Sequence, residues 1–336
     1  MKLASFEVPT PLGPEQRVGV SWETGGEGDG DGEGKGQKLI DVTTGYACVL
    51  DDCDDTTPVE LAEAIVPPDM LAFLRRGDRA IEAARDTVSF VAETDIEQGP
   101  NGAQIVFDPD EVQLLSPVPR PNSLRDCMAF EEHVENTLGE DIPDIWYDQP
   151  VYYKGNPETV VGTGTTIEWP AYTDQMDYEL ELAAVIGYEG RDIPAEDADS
   201  YIAGYTVFND FSARDIQLRE MQGNLGPAKG KDFANALGPY LVTPDAFDLD
   251  NATMTATVDG ETWSEGTPGA MQHSFAEIIE HISQNETLYP GDVIGSGTVG
   301  EGCGLELGRF LEPGATVTLS VEGIGTLENP VVKPDE

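Results

Sequence analysis

The sequence predicts an α+β fold in which strands predominate. Three observations carry that reading. Apolar residues alternate at period two in RVGVSWE (17–23), and an unbroken block of small and branched apolar residues in ELAAVIG (181–187) reads as a buried strand. A single stretch, 79–93, repeats Ile81, Ala84, Val88 and Val91 at helical spacing. Beyond residue 120 the chain becomes a succession of strands, glycine turns and short helices, the texture of a mostly β domain with α insertions.

Taken in order, 17–23 and 38–49 (KLIDVTTGYACV) read as strands around the insert GGEGDGDGEGKGQ (25–37). This acidic, glycine-rich stretch reads as a charged hairpin loop: it lacks the aspartate spacing of calcium repeats, and an EF-hand register from Asp29 places Ile40 where the closing glutamate belongs. Residues 69–76 and 79–93 read as two helices split by Gly77. After the short strand EVQLL, three prolines in SPVPRPN mark a boundary near residue 120, which gives an N-terminal α+β domain at 1–118 and a second domain at 119–336.

The net charge is −46 and the sequence pI near 4.1, with 64 acidic against 18 basic residues. Such a field repels polyanions, so neither nucleic acid nor an anionic membrane is an expected partner. The acids are spread along the chain, and their repulsion would be screened within about 3 Å at 1 M salt, which points to a halophilic protein from a salt-filled cytoplasm. The N-terminus has no signal-peptide pattern, and no apolar run approaches the ~20 residues that span a bilayer. Cys48, Cys53, Cys127 and Cys303 lack C-x-x-C spacing and read as free thiols.

In MDYELELAAVIG (176–187) a strand would turn Asp177, Glu179 and Glu181 to one face, which continues inward through Ala183 and Val185. Successive same-face residues stand roughly 6.5–7 Å apart, near enough for two carboxylates to share a hard cation. In so acidic a chain the same pattern also describes a solvated strand face. RDCMAFEEHVENTLG (125–139) reads as a helix with Phe130, Val134 and Leu138 at near-helical spacing. Asp126 lies at its start and His133 seven residues on, about two turns or roughly 10.5 Å away on the same face. A capping acid and a surface histidine are the plain alternatives. YIAGYTVFNDFSARDIQ ends a strand near Asp210 and enters a helix with Ser212 as N-cap and Asp215 three residues later, placing Arg214 and Gln217 on one side. Lys229 and Lys231, two of only seven lysines, sit beside glycines in GPAKGKDF. In GDVIGSGTVGEGCGLEL the glycines would let backbone approach a ligand, with Thr298 in a loop and Glu306 on a strand; it is no P-loop, since GK[ST] is absent.

Asp126 with His133, DYELELAAVIG, NDFSARDIQ, GKDF and GSGT…GLEL, in that order, resemble the catalytic domain of the fumarylacetoacetate hydrolase family over about residues 120–332. The resemblance implies a fumarylacetoacetase-type mixed β-sandwich or roll at 119–336 behind a smaller N-terminal α+β domain. It implies that Asp126, Glu179, Glu181 and Asp210 ligate Mg²⁺ (or Mn²⁺ or Ca²⁺), that His133 activates water with Glu306 as its orienting partner, and that Lys231 steadies developing charge. Tyr153, Arg214, Gln217 and Thr298 fall at substrate-contacting positions. The implied activity is hydrolysis of a C–C bond in a 1,3-diketo acid such as an acylpyruvate, by a cytoplasmic homodimer acting on a small keto acid. A lyase of the same fold, dehydrating a 2-keto-3-deoxy sugar acid or decarboxylating an aromatic-degradation intermediate, is the alternative, and a non-catalytic acidic scaffold with many weak cation sites is a third reading. Met128 and Met221 stand where fumarylacetoacetase proper has tyrosines, and no arginine follows His133 in its helix, departures that concern which fumarylacetoacetate- or acylpyruvate-like substrate is bound and not the chemistry.

Overall fold

The computed structural model describes residues 1–23, 36–139 and 142–334. The fold is α+β with sheet predominating. The chain divides into two compact units, Met1–Leu115 and Ser116–Glu336.

In the first unit β1 (Lys2–Thr10) and β2 (Gly13–Glu23) form an antiparallel pair, β3 (Gln37–Asp41) adds to β2, and β4 (Val106–Phe107) to β3. The glycine-rich insert lies, through residue 35, outside the described residues. The strand expected over 38–49 ends at Asp41, and helix α1 (Val42–Asp52) takes its place. The reason is a cap: the Asp41 carboxylate accepts from the N–H groups of Thr43 (2.9 Å) and Thr44 (3.2 Å) and from the Thr44 hydroxyl (2.8 Å), satisfying donors that a helix start leaves open. Helices α2 (Pro58–Ile65), α3 (Met70–Leu74) and α4 (Asp78–Thr94) follow, and β5 (Gln113–Leu114) pairs with β1. The buried stripe of α4 is Ala80, Ala83, Ala84, Thr87 and Val91; Ile81 and Val88, expected in it, flank it half-buried. Small residues take the centre because α4 lies close against α1, where the Thr87 methyl approaches Gly45.

The second unit holds a mixed sheet and a five-stranded sheet. The mixed sheet runs β11 (Asn235–Val242), β10 (Ile202–Asp210), β9 (Glu181–Ile186), β14 (Val293–Gly295), β6 (Leu124–Cys127), β7 (Tyr152–Gly155), with β8 (Val160–Val161) parallel to β11. Its centre is apolar on both faces: every residue of β9 is buried, as are Val207, Phe208, Leu237 and Leu241. The second sheet is built on β12 (Met254–Val258), β13 (Glu261–Gly266), β15 (Thr316–Val321) and β16 (Gly325–Val332), with Ile167–Glu168 on the β16 edge. Between β13 and β14, helix Phe275–Ser283 starts at a capping box of Ser274 and Glu277 and buries Phe275, Ile278, Ile279 and Ile282. No helix among the described residues is long and apolar enough to cross a membrane, and all four cysteines are free.

Candidate functional site

Strand direction gathers the acids. Strand β9 begins where β10, β14 and β6 end: Glu181 stands opposite Phe208, Ala183 opposite Gly295, and Gly295 opposite Asp126. Asp126 faces Tyr153 across β7, and Asp210 faces Asn235 at the start of β11. One end of the sheet therefore collects Asp126, Glu181, Asp210, Tyr153 and, just past β14, Thr298. Glu179 joins them from the irregular link ahead of β9, where its N–H donates to the Asn209 side-chain oxygen at 3.0 Å. One oxygen from each of Asp126, Glu179, Glu181 and Asp210 lies within 4.8 Å of the others, and all four residues are buried.

Two cations already stand against this cluster. The Lys231 ammonium donates to Glu179 Oε2 at 2.5 Å and Asp210 Oδ2 at 2.6 Å, and Arg214 Nη2 lies 2.9 Å from Glu179 Oε1. Burial alone would raise the Glu179 carboxyl, but Lys231 and Arg214 outweigh it and hold it well below the usual range. Burial pushes Asp126 well up, reinforced by the charge of Asp210, and pushes Glu181 well up, reinforced by Asp126 and Glu179. Asp210 is pushed up to about 6, burial outweighing the pull of Lys231. Burial would strip Lys231 of its proton, yet Asp210 and Glu179 more than restore it.

The cluster fits a hard divalent cation. Asp126 Oδ1, Glu181 Oε2 and Asp210 Oδ1 are buried with no hydrogen-bond partner, whereas buried polar atoms nearly always have one. Oxygen donors of this kind are what Mg²⁺, Mn²⁺ or Ca²⁺ take. A Cβ at position 295 would meet Asp126 Oδ1 at 2.5 Å, so Gly295 makes room for that carboxylate. Gly297, at φ +81°, lies where a Cβ would meet the Cys127 carbonyl at 2.5 Å. These glycines let the chain pass close to Asp126 and Cys127.

Asp126 and His133 reach the site from different elements. Asp126 belongs to β6, not to the start of a helix, and His133 belongs to α5 (Glu131–Leu138). The expected shared helical face is thus replaced by strand pairing with β14 and β7, which carries the chain extended through Cys127 before it turns. His133 Nδ1 lies 2.9 Å from Glu306 Oε2. Burial would raise the Glu306 carboxyl, but the His133 hydrogen bond and charge lower it, so the carboxylate is ionised and Nδ1 is the donor. Nε2 remains as the basic nitrogen. Glu306 also accepts from Asn136 Nδ2 (3.0 Å), the Glu301 N–H (2.9 Å) and Cys303 Sγ (3.3 Å).

Glu306 sits on a helical turn, Gly304–Leu307, not on the expected strand. Asp177 starts that turn, accepting from the N–H groups of Gly304 (2.7 Å) and Leu305 (2.9 Å) while receiving Arg214 Nε at 2.7 Å. The strand expected through 177–181 breaks between Asp177 and Glu181, so Asp177 stays outside the four-acid cluster. Its anchoring role, and those of Asn136, Asn209 and Cys303, were missed by the sequence reading. Only Asn136 carries a local signal, three residues after His133 on one helix side.

Helix α6 (Arg214–Met221) is entered through Ala213; Ser212, expected as its cap, donates instead to the Asp210 carbonyl at 3.0 Å. Asp215 accepts from the Thr173 hydroxyl. Arg214 Nη1 donates to Gln217 Oε1 at 2.9 Å, which leaves the Gln217 amide nitrogen as its free donor. Tyr153 donates its hydroxyl to Asp210 Oδ2 at 2.5 Å, and Thr298 to Glu181 Oε1 at 3.3 Å. Asp126, Glu179, Glu181, His133, Lys231, Tyr153, Arg214, Gln217 and Thr298 all line one cavity of about 300 Å³. Asp210 lies behind it, under Tyr153 and Lys231, and Lys229 is exposed outside it.

Residues 123–332 match the sequence model described as fumarylacetoacetate (FAA) hydrolase C-terminal. The oxaloacetate tautomerase YisK of Bacillus subtilis (strain 168) is 32% identical over 272 residues, covering 79% of this chain and 87% of that protein. Among solved structures, the fumarylacetoacetate hydrolase of psychrophilic Exiguobacterium antarcticum is similar with a TM-score of 0.69 at 26% identity, covering 99% of this chain and 100% of that one. A 5-carboxymethyl-2-hydroxymuconate delta-isomerase from Mycobacterium smegmatis gives a TM-score of 0.65 at 26% identity with the same coverage.

Proposed function

The chain belongs to the fumarylacetoacetate hydrolase family, and from that premise we propose that it is a divalent-cation-dependent enzyme that moves a proton at the α-carbon of a 2-oxo acid, interconverting keto and enol forms. The observation that carries this reading is that the His133–Glu306 pair and the carboxylate cluster with its unpartnered oxygens open onto the same cavity. Asp126, Glu179, Glu181 and Asp210 would hold the cation. When bound, it would supply a Lewis acid for adjacent carboxylate and carbonyl oxygens and so make the α-proton more acidic.

The protein's own groups do the rest. His133 Nε2 takes the α-proton and gives it to the oxygen of the enolate that results, yielding the enol, while Glu306 keeps Nδ1 protonated and stabilises the imidazolium that forms between the two transfers. Gln217 offers its amide nitrogen to a substrate oxygen, held in place by Arg214. Arg214 and Lys231 fix Glu179 and Asp210 through direct ion pairs, so the cluster is held before substrate arrives.

An isomerase and a tautomerase among the related proteins favour isomerisation over cleavage. Hydrolysis of a 1,3-diketo acid, with His133 activating water, is the second reading, favoured by the likeness to the Exiguobacterium hydrolase and by a cavity with room for a water beside a small acid. Proton NMR in D₂O decides between them. With Mg²⁺ present, exchange of the C3 protons of a 2-oxo acid faster than the uncatalysed rate, with the carbon skeleton intact, supports isomerisation. Release of pyruvate from an acylpyruvate without such exchange would favour hydrolysis.

A further inference from the structure

We propose that the substrate's far end is apolar and uncharged, so that this enzyme prefers 2-oxo monocarboxylates with a hydrocarbon tail over dicarboxylates. The inference rests on the 2-oxo acid reading above and adds what the rest of the cavity selects.

The cavity lining combines the carboxylates, His133 and Lys231 with the apolar side chains of Met128, Val151, Leu218, Met221, Pro227 and Leu305. Leu218 and Met221, three residues apart on α6, are 47% and 49% exposed, so the apolar wall continues to the opening. A second carboxylate lying there would need a cation, and the lining cations are engaged elsewhere. Arg214 gives Nε to Asp177 and Nη1 to Gln217, with Nη2 against Glu179. Lys231 gives its ammonium to Glu179 and Asp210, and His133 gives Nδ1 to Glu306.

Among the described residues no other lysine or arginine lines the cavity. Arg125 and Lys154, on β6 and β7 beside Asp126 and Tyr153, are turned to Glu286. A dicarboxylate would thus place its second charge against sulfur and hydrocarbon without a counter-ion, losing hydration that nothing replaces. An alkyl tail would instead cover Leu218 and Met221. Each methylene removed from water strengthens binding by up to about fourfold. Met221 is the residue best placed to decide the choice, standing at the opening on the last turn of α6.

Calorimetry with Mg²⁺ present, using 2-oxobutanoate, 2-oxopentanoate, 2-oxohexanoate and 2-oxoglutarate, tests this without relying on turnover. Affinity should rise about two- to fourfold per added methylene, and 2-oxohexanoate should bind at least about tenfold more tightly than 2-oxoglutarate of similar length. Met221→Arg, at a half-exposed position that tolerates a charge, should narrow or reverse that ratio, and Met221→Lys should move it the same way. If 2-oxoglutarate binds the wild type as well as 2-oxohexanoate does, the apolar-tail inference is overturned while the 2-oxo acid reading stands. If Mg²⁺ binds but none of the four acids does, the functional reading falls and takes this inference with it.

Discussion

Asp126, Glu179, Glu181 and Asp210 are packed into one end of a sheet, each at most 5% exposed. Asp199, Asp245, Asp248 and Asp250 instead rim an open hollow beside Tyr205 and Phe247, all four exposed. By composition the two sets are alike. The difference lies in solvent: the rim acids keep their hydration and are screened by salt, while the buried four must be answered by Lys231, Arg214, protons or a metal. In a chain with 64 acidic residues, burial rather than acidity separates a site from a solvated surface.

The largest effect should come from the base beside the buried set. His133→Ala should lower the proton-exchange rate by about 10²–10⁴-fold while leaving Mg²⁺ affinity, measured by calorimetry, nearly unchanged. An unchanged rate would remove His133 from the mechanism.

Glu181→Gln should weaken Mg²⁺ binding by at least about 10²-fold, since ligand loss ought to exceed the 10–100-fold typical of groups that merely support a ligand. Paired substitution of Asp245 and Asp248 by Asn should leave that affinity within about twofold. Equal effects from the two changes would mean that the protein binds cations through its general surface charge, and would restore the scaffold reading.

A smaller and pH-dependent contrast follows from the raised carboxyls. Asp126, Glu181 and Asp210 all titrate above their ordinary values. Between the unfolded value near 4 and the folded one, the native state holds protons that the unfolded chain has released, so stability falls as pH rises. Without metal, the melting temperature should therefore drop between pH 5 and pH 7 by a few degrees, given about 2–4 °C per kcal/mol for domains of this size. Glu179 is lowered and does not contribute in this window; its stabilisation is lost only below its ordinary value, as pH falls further. Saturating Mg²⁺, which favours the charged carboxylates, should flatten the drop. Differential scanning fluorimetry with EDTA and with Mg²⁺ reads both curves, and an EDTA curve that rises over this range would contradict the burial-driven shifts.

The smallest effect per residue belongs to the rim. Asp199→Asn and Asp250→Asn should each change stability by less than about 0.5 kcal/mol, yet the whole protein, at −46, should melt higher in 2 M KCl than in dilute buffer because salt screens all such acids together. A flat melting temperature across that salt range would sink the screening account.

The sequence alone determined those features that depend on neighbours in the chain. Period-two runs made strands of 17–23 and 202–210, the apolar spacing of 79–93 made a helix, and the ordered motifs from Asp126 to GLEL were enough to identify the family. Even locally one side chain could mislead, as Asp41 did by capping a helix inside an apparent strand. What the family motifs only implied, and the tertiary structure accounts for, is how these acids meet. Asp126 owes its place to pairing with Gly295, 169 positions later, and Glu306 reaches His133 across 173. Asp177, two residues from Glu179, is diverted to the turn that carries Glu306. Register between distant strands and the burial it creates are set by the packing of the whole unit, so they leave no periodic trace in the residues beside each acid.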